Sequence, residues 1–293
     1  MKYLFFSIMV LVSISSYAQP DISDKKSLRL SMNGHGKTEL TNLLTAARWN
    51  ELFPNRHGRS GKNNKTNKQD FYSFKSLVAA ARYFPEFLQG STVTKKRELA
   101  AFLANIAQET SGGWAEAPGG YFKWGLYFVE EIDDSAKNRY ADYTKLKYPP
   151  VPGRTYQGRG PKQLTWNYNY GQFSEAWYGT RDSLLQHPER LAHNPVESFA
   201  SALWFWMTPQ FPKPSCHEIM SGTWKPTAND KQKGRVPGFG ATVNVINGGV
   251  ECGTGKELKK TTYRYQYYLY FCKYFKVTPG ENINCDNQLP FGQ

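Results

Sequence analysis

The chain has few of the residues that build disulfide frameworks and metal sites. Its 293 residues include only four cysteines, at positions 216, 252, 272 and 285, which is too few for a disulfide-rich scaffold. Its five histidines are scattered, and neither an HExxH nor a CxxC motif occurs. We therefore expect no metal site.

Long apolar runs are missing after the N-terminus, so no later segment is predicted to cross a membrane. At the start, Lys2 precedes an apolar run of secretory length, and Ser16-Tyr17-Ala18 forms a small-x-small cleavage site. We interpret residues 1–18 as a signal peptide that is removed. The mature protein is accordingly expected to be secreted and not inserted in a membrane.

Acidic residues are scarce relative to basic ones, 24 against 37, which gives a formal net charge of +13. Such an excess favours anionic partners such as nucleic acid or acidic wall polymers. The densest basic run, Arg56 to Lys68, contains no aromatic residues and is typical of a flexible loop. We interpret the charge as that of a basic secreted protein and expect no nucleic-acid partner.

Apolar spacing and capping residues predict several helices. Asn194 is a suitable N-cap, Pro195 fits the first helical position, and Pro209 prevents continuation past Met207. Tyrosine, lysine and proline over residues 138–156 indicate a long loop, and repeated glycine and proline over residues 213–253 predict irregular structure. The other predicted helices cover residues 40–52, 74–84, 97–109 and 261–275.

The stretch from Arg97 to Glu131 carries two carboxylates. An amphipathic helix ends near Glu109, a Gly-rich turn follows, and Glu131 lies 22 positions later (131 − 109). A carboxyl group beside apolar surface can hold a proton while a wetter one stays ionised, and glycoside hydrolysis requires such a pair. The pattern alone favours a different interpretation, in which Glu109 is a solvated helix end and Glu131 belongs to an acidic surface run, Glu130-Glu131 with Asp133-Asp134.

Two further segments invite functional interpretations. Residues 156–171, YQGRGPKQLTWNYNYG, combine glycines, amides and aromatics, which suits either a sugar-binding cleft or a polar turn. The string Gly253-Thr-Gly-Lys256 resembles a phosphate loop. Val250 and Glu257 occupy positions where that motif needs Gly and Ser or Thr, so we exclude nucleotide binding.

The strings AFLANIAQETSGGW and APGGYFKWGLYFVEE resemble the catalytic region of family 19 chitinases, as do ALWFWMTP and VNVINGGVECG further on. The resemblance implies a mainly α, two-lobed, lysozyme-like fold with a central substrate cleft. It makes residues 42–293 the catalytic domain and leaves residues 19–41 as an N-terminal extension. It also implies that Glu109 is the general acid and Glu131 the general base.

The same resemblance assigns further roles. Thr165 would help hold the attacking water, Glu251 and Arg264 would form a charge network with the acid, and Cys252 would pair with Cys285. Cys216 and Cys272 stay unassigned, and Trp166 departs from the histidine often found at its position. The implied substrate contacts are Trp114, Trp124, Gln163, Tyr168, Asn169 and Asn247.

The implied activity is endo-hydrolysis of β-1,4-linked N-acetylglucosamine in chitin, by a monomer and without a cofactor. Inversion requires carboxyl groups about 6.5–9.5 Å apart, against about 5–5.5 Å for a retaining pair. Three alternatives stay open. A related muramidase would cut peptidoglycan, a wall-binding protein would bind without hydrolysis, and a basic nucleic-acid binder would show steeply salt-dependent DNA binding.

Overall fold

The structure, a computed structural model, describes residues 38–56, 70–132, 140–255 and 259–292. The predicted signal peptide, most of the N-terminal extension and residues 57–68 of the basic loop lie outside the described residues. Within them the chain is mainly helical. The helices are α1 (Leu40–Leu43), α2 (Ala46–Leu52), α3 (Phe74–Ala81), α4 (Thr92–Glu109), α5 (Asn167–Tyr178), α6 (Asp182–Gln186), α7 (Arg190–His193), α8 (Pro195–Met207), α9 (Cys216–Ser221), α10 (Ala228–Gln232), α11 (Phe239–Glu251) and α12 (Lys259–Tyr274).

Side-chain caps explain where several helices begin. Ser91 accepts a hydrogen bond from the Thr94 amide at the start of α4, and Asn194 caps α8 as predicted. The single helix predicted over residues 40–52 is wrong, because it is divided into α1 and α2. Leu44 is extended there, and the Thr45 hydroxyl accepts from the Arg48 amide to begin α2.

Helix α4 is the central element of the fold. All ten of its residues from Glu98 to Ala107 are buried, and α12 packs along it. Helix α3 packs in turn on α8. Aromatic side chains fill the space between these helices, and burying each one fully stabilises the fold by about 1.5–3 kcal/mol. No helix in the described ranges is both long and apolar enough to cross a bilayer.

The expectation of irregular structure over residues 213–253 is wrong, because this region contains α9, α10 and α11. Its glycines allow close packing as well as turns. A Cβ on Gly240 would lie 1.9 Å from the Asn284 carbonyl oxygen, and one on Gly248 would lie 2.2 Å from Asn244 Oδ1. Helix α11 therefore uses glycine where the C-terminal segment and a neighbouring side chain press against it.

The cysteines divide into one bonded pair and two thiols. Cys252, just after α11, forms a disulfide with Cys285, which fastens the C-terminal segment to the helical body. This is the pairing that the resemblance implied. Cys216 and Cys272 are free and buried. Burial raises the pKa of the Cys216 thiol well above its usual value, so that thiol stays protonated.

Candidate active site

Glu109 is the last residue of α4, and its side chain is 16% exposed. The helix stops at Thr110, whose hydroxyl donates to the Ile106 carbonyl at 2.6 Å and accepts from the Leu126 amide at 2.8 Å. These two bonds fix the turn that follows the helix. Glu109 is paired and not solvated, because Arg264 Nη2 donates to its Oε1 at 2.7 Å.

Arg264, on α12, is the centre of a buried charge network. Its Nη2 and Nε donate to the two oxygens of Glu251 at 2.6 and 3.0 Å, and its Nη1 donates to Asn105 Oδ1 at 3.0 Å. Burial alone lowers the pKa of Arg264, but the negative charges of Glu109 and Glu251 outweigh that effect and raise it above its ordinary value. Arg264 therefore stays charged between two carboxylates.

Glu131 is held by different partners. The Tyr140 hydroxyl donates to its Oε1 and the Gly158 amide donates to its Oε2, both at 3.1 Å. Its neighbour Glu130 accepts from Arg159 Nε at 2.6 Å. Glu130 and Glu131 are thus both bound to specific partners, and the alternative of a solvated acidic surface run does not describe them.

A short ribbon of extended chain brings Glu131 and Thr165 to the same edge. Arg159 forms antiparallel bridges with Glu130 on one side and Leu164 on the other. Because both outer segments run antiparallel to the middle one, they run parallel to each other. Glu131 directly follows Glu130, and Thr165 directly follows Leu164. The two residues therefore lie at the same end of the ribbon. Two interstrand spacings separate the outer backbones by about 10 Å.

A cavity of about 210 Å³ lies beside this edge and gathers five of the predicted site residues. Two of its lining side chains have buried atoms that find no hydrogen-bond partner among the described residues, namely Asn169 Oδ1 and Gln210 Nε2. Unpartnered buried polar atoms are rare in folded proteins, and ligand contacts are one reason for keeping them. The predicted residues in the lining are Gln163, Thr165, Tyr168, Asn169 and Asn247.

Asn247 connects the cavity to the charge network. Its backbone, at φ −147° and ψ 30°, departs from helical geometry and kinks α11. Its side-chain amide donates to Glu251 Oε1 at 2.8 Å, while the residue lines the cavity. Gln163, by contrast, uses its amide nitrogen to donate to the Gly160 carbonyl at 3.0 Å, so part of its role is to hold the ribbon.

Trp114 and Trp124 form a separate aromatic pair, with ring centroids 5.3 Å apart. Trp114 is 48% exposed. The Trp124 indole N–H donates to the Pro118 carbonyl at 3.0 Å, and the Trp124 carbonyl accepts from the Gly112 amide at 3.0 Å. The pair therefore belongs to the turn after Glu109 and is not part of the cavity lining.

Several residues at the site were not predicted. Tyr140 donates to Glu131 from a loop nine positions further on, and Asn105 accepts from Arg264, 159 positions away. No regular spacing in the sequence identifies either contact. Lys162, Gln210 and Lys213 line the cavity, and only Lys162 lies within a motif that the sequence analysis singled out. In the described ranges, no group of three or more His, Cys, Asp or Glu side chains could hold a metal ion.

Comparison with known proteins identifies the family. Residues 47–285 match the family described as "Chitinase class I". An "Endochitinase" of Carica papaya is 47% identical over 223 residues, covering 76% of this chain and 89% of that protein. An "Inactive chitinase-like protein 1" of Hevea brasiliensis is 41% identical over 258 residues, covering 88% and 78%.

A solved structure supports the same family. The crystal structure of chitinase C from Streptomyces griseus matches with a TM-score of 0.64 and 30% identity, covering 83% of this chain and 97% of that one. The predicted mainly α, lysozyme-like fold class is confirmed. The resemblance found in the sequence is confirmed as well, and the chain belongs to the chitinase class I family, glycoside hydrolase family 19.

Proposed function

We propose that this protein is an endochitinase that hydrolyses β-1,4 linkages between N-acetylglucosamine residues with inversion at the anomeric carbon. The observation that carries the proposal is the different anchoring of two carboxylates. Glu109 shares a buried guanidinium with Glu251, whereas Glu131 accepts from a tyrosine hydroxyl and a backbone amide. Different surroundings are what allow one carboxyl group to donate a proton while another accepts one.

In this proposal Glu109 protonates the oxygen of the leaving sugar. Glu131 takes a proton from a water molecule on the opposite face of the ring, and Thr165 helps to hold that water. The ribbon supports this division, because it brings Glu131 and Thr165 to one edge beside the cavity. No step requires a metal or a cofactor.

The network around Arg264 suits an acid that must pick up a proton in each cycle. A guanidinium devoted to Glu109 alone would favour its ionised form. Glu251 takes two of the hydrogen bonds from Arg264, so much of the positive charge is already neutralised. Glu251 and Arg264 would therefore position Glu109 without holding it permanently ionised.

The substrate would occupy the cavity and extend along the cleft. Asn169 and Asn247 offer amides for acetamido and hydroxyl groups, Gln163 lines the same wall, and Tyr168 offers a ring face. We propose that Trp114 and Trp124 line the cleft beyond the cavity, on the Glu109 side. The protein would act as a secreted monomer after removal of residues 1–18, with residues 42–293 as its catalytic domain.

One relative is named as inactive, so the test measures catalysis directly. The test is hydrolysis of a soluble N-acetylglucosamine hexamer with analysis of the product anomers. We expect the wild type to release α-anomer first. Glu109→Gln and Glu131→Gln should each lower kcat by about 10²-fold or more, as loss of a general acid or base does.

Glu281→Gln, at an exposed glutamate away from the cavity, is the matched control and should keep wild-type activity. An initial β-anomer would contradict inversion. Binding of the hexamer without any release of product would contradict the enzymatic proposal and favour a non-catalytic binding protein.

A further inference from the structure

Two lysines line the cavity beside the proposed site. Lys162 is 9% exposed, and its Nζ lies 4.7 Å from the centroid of the Phe205 ring. Lys213 Nζ donates to the Val245 carbonyl at 3.1 Å. In the part of the chain that the structure describes, neither amine forms an ion pair with a carboxylate. The described residues that line the cavity thus include two lysines and no carboxylate.

Buried ammonium groups normally have a counter-ion, because removing a charge from water without one is unfavourable. Burial lowers the pKa of Lys213, and the charge of Lys162 lowers it further, so the two amines repel each other. Their titratable neighbour Cys216 supplies no compensation, because burial raises the pKa of its thiol and keeps it neutral. A negatively charged group in the cavity would remove this repulsion.

A third donor faces the same space. Gln210 Nε2 is buried and has no hydrogen-bond partner within the ranges that the structure describes. Gln210 and Lys213 are joined by two backbone hydrogen bonds of 3.0 and 2.8 Å, so a tight turn fixes their relative positions. Two ammonium groups and one amide suit a ligand with several acceptor oxygens. The cavity, at about 210 Å³, is several times larger than the ~30 Å³ that a water molecule occupies.

We propose that Lys162 and Lys213 form an anion-accepting subsite of the cleft. The substrate class would be β-1,4-linked N-acetylated aminosugar polymers that carry carboxylate substituents, accepted in addition to neutral chitin. The proposal rests on the proposed function, because it assigns a preference to the same cleft. It also implies that a protonated glucosamine is disfavoured at this position, since like charges repel.

Two length-matched probes test the proposal. One is a hexamer of N-acetylglucosamine, and the other alternates N-acetylglucosamine with N-acetylmuramic acid, which carries a carboxylate. Binding is measured by calorimetry in the Glu109→Gln background, so that hydrolysis does not interfere. We expect Lys162→Met to weaken binding of the carboxylate-bearing probe about tenfold more than binding of the neutral probe, equal to about 1.4 kcal/mol.

Lys273→Met, at an exposed lysine of α12 outside the cavity, removes the same charge and controls for net charge. The measured ratio is the dissociation constant of the neutral probe divided by that of the carboxylate-bearing probe. Lys273→Met should leave this ratio unchanged, whereas Lys162→Met should lower it. Methionine keeps the apolar stem of Lys162 over Phe205, and thermal unfolding checks that the variant is folded. Lys213→Met gives a second, independent measurement of the same ratio.

The possible failures can be told apart. If the wild type cleaves the neutral hexamer but neither lysine variant changes the ratio, the subsite is refuted and the proposed function stands. If the wild type cleaves neither probe while both lysine variants lower the ratio, the subsite stands and the proposed activity fails. Equal weakening of both probes would also overturn the subsite, because it would show a general packing effect.

Discussion

Removal of Arg264 gives the sharpest test of the buried charge network. The residue is 2% exposed, and its guanidinium donates to Glu251, Glu109 and Asn105 over distances of 2.6–3.0 Å. In Arg264→Met, Glu251 would keep the hydrogen bond from Asn247 but lose its positive partner. Because Glu251 is also 2% exposed, its charge would then be buried without compensation.

Breaking a buried ion pair in this way typically costs about 3–5 kcal/mol. For a domain of this size, each kcal/mol lowers the melting temperature by about 2–4 °C, so we expect a decrease of about 6–20 °C. Thermal unfolding followed by circular dichroism at pH 7 measures it. Arg154→Met, at an exposed arginine, is the control and should change the melting temperature by a few degrees at most.

The double variant Arg264→Met/Glu251→Gln separates charge from packing. Glutamine keeps the shape of Glu251 but carries no charge, so the double variant should be more stable than Arg264→Met alone. Losses of stability that simply add in the double variant would refute the electrostatic account.

Two further predictions concern single contacts. Tyr140→Phe removes a hydrogen bond to Glu131 and should lower kcat/KM for chitin oligomers about tenfold. The control is Tyr143→Phe, at an exposed tyrosine of the same segment, which should keep the wild-type kcat/KM. Equal kcat/KM values for the two variants would contradict a positioning role for Tyr140. Burial lowers the pKa of His217, but its hydrogen bond and charge interaction with Glu98 outweigh burial and raise it. The interaction with Glu98 therefore adds to the free energy of unfolding below the pKa of His217 in the unfolded chain, about 6.5, and this contribution is lost as pH rises through its pKa in the folded protein. We expect His217→Gln to lower the melting temperature more at pH 5 than at pH 9.

Sequence reasoning located helices best where the signals are local. Asn194 and Pro195 define the start of α8, and the structure begins that helix at Pro195 and ends it at Met207, as predicted. A capping box was overlooked before α9, where Ser215 and Glu218 bond each other's backbone amides. The Ser-x-x-Glu spacing was visible in the sequence and would have predicted that helix.

The failure at α11 has a different physical cause. Glycine was interpreted as a breaker, but at Gly240 and Gly248 the absent side chain makes room for Asn284 and Asn244. Only the packed structure shows which atoms press against a helix. The same limit applies to the division of residues 40–52, where Thr45 acts as a cap instead of continuing the first helix.

The chemistry of the candidate site depends on contacts across long sequence separations, which is why spacing alone left Glu109 ambiguous. Arg264 lies 155 positions from Glu109 and 159 from Asn105, yet it donates to both. Asn247 lines the cavity and donates to Glu251, which in turn holds Arg264. Asn247 is therefore connected to Glu109 by three hydrogen bonds. Because each of these bonds joins buried or half-buried groups, the position of the Glu109 carboxylate and the shape of the cavity depend on one another.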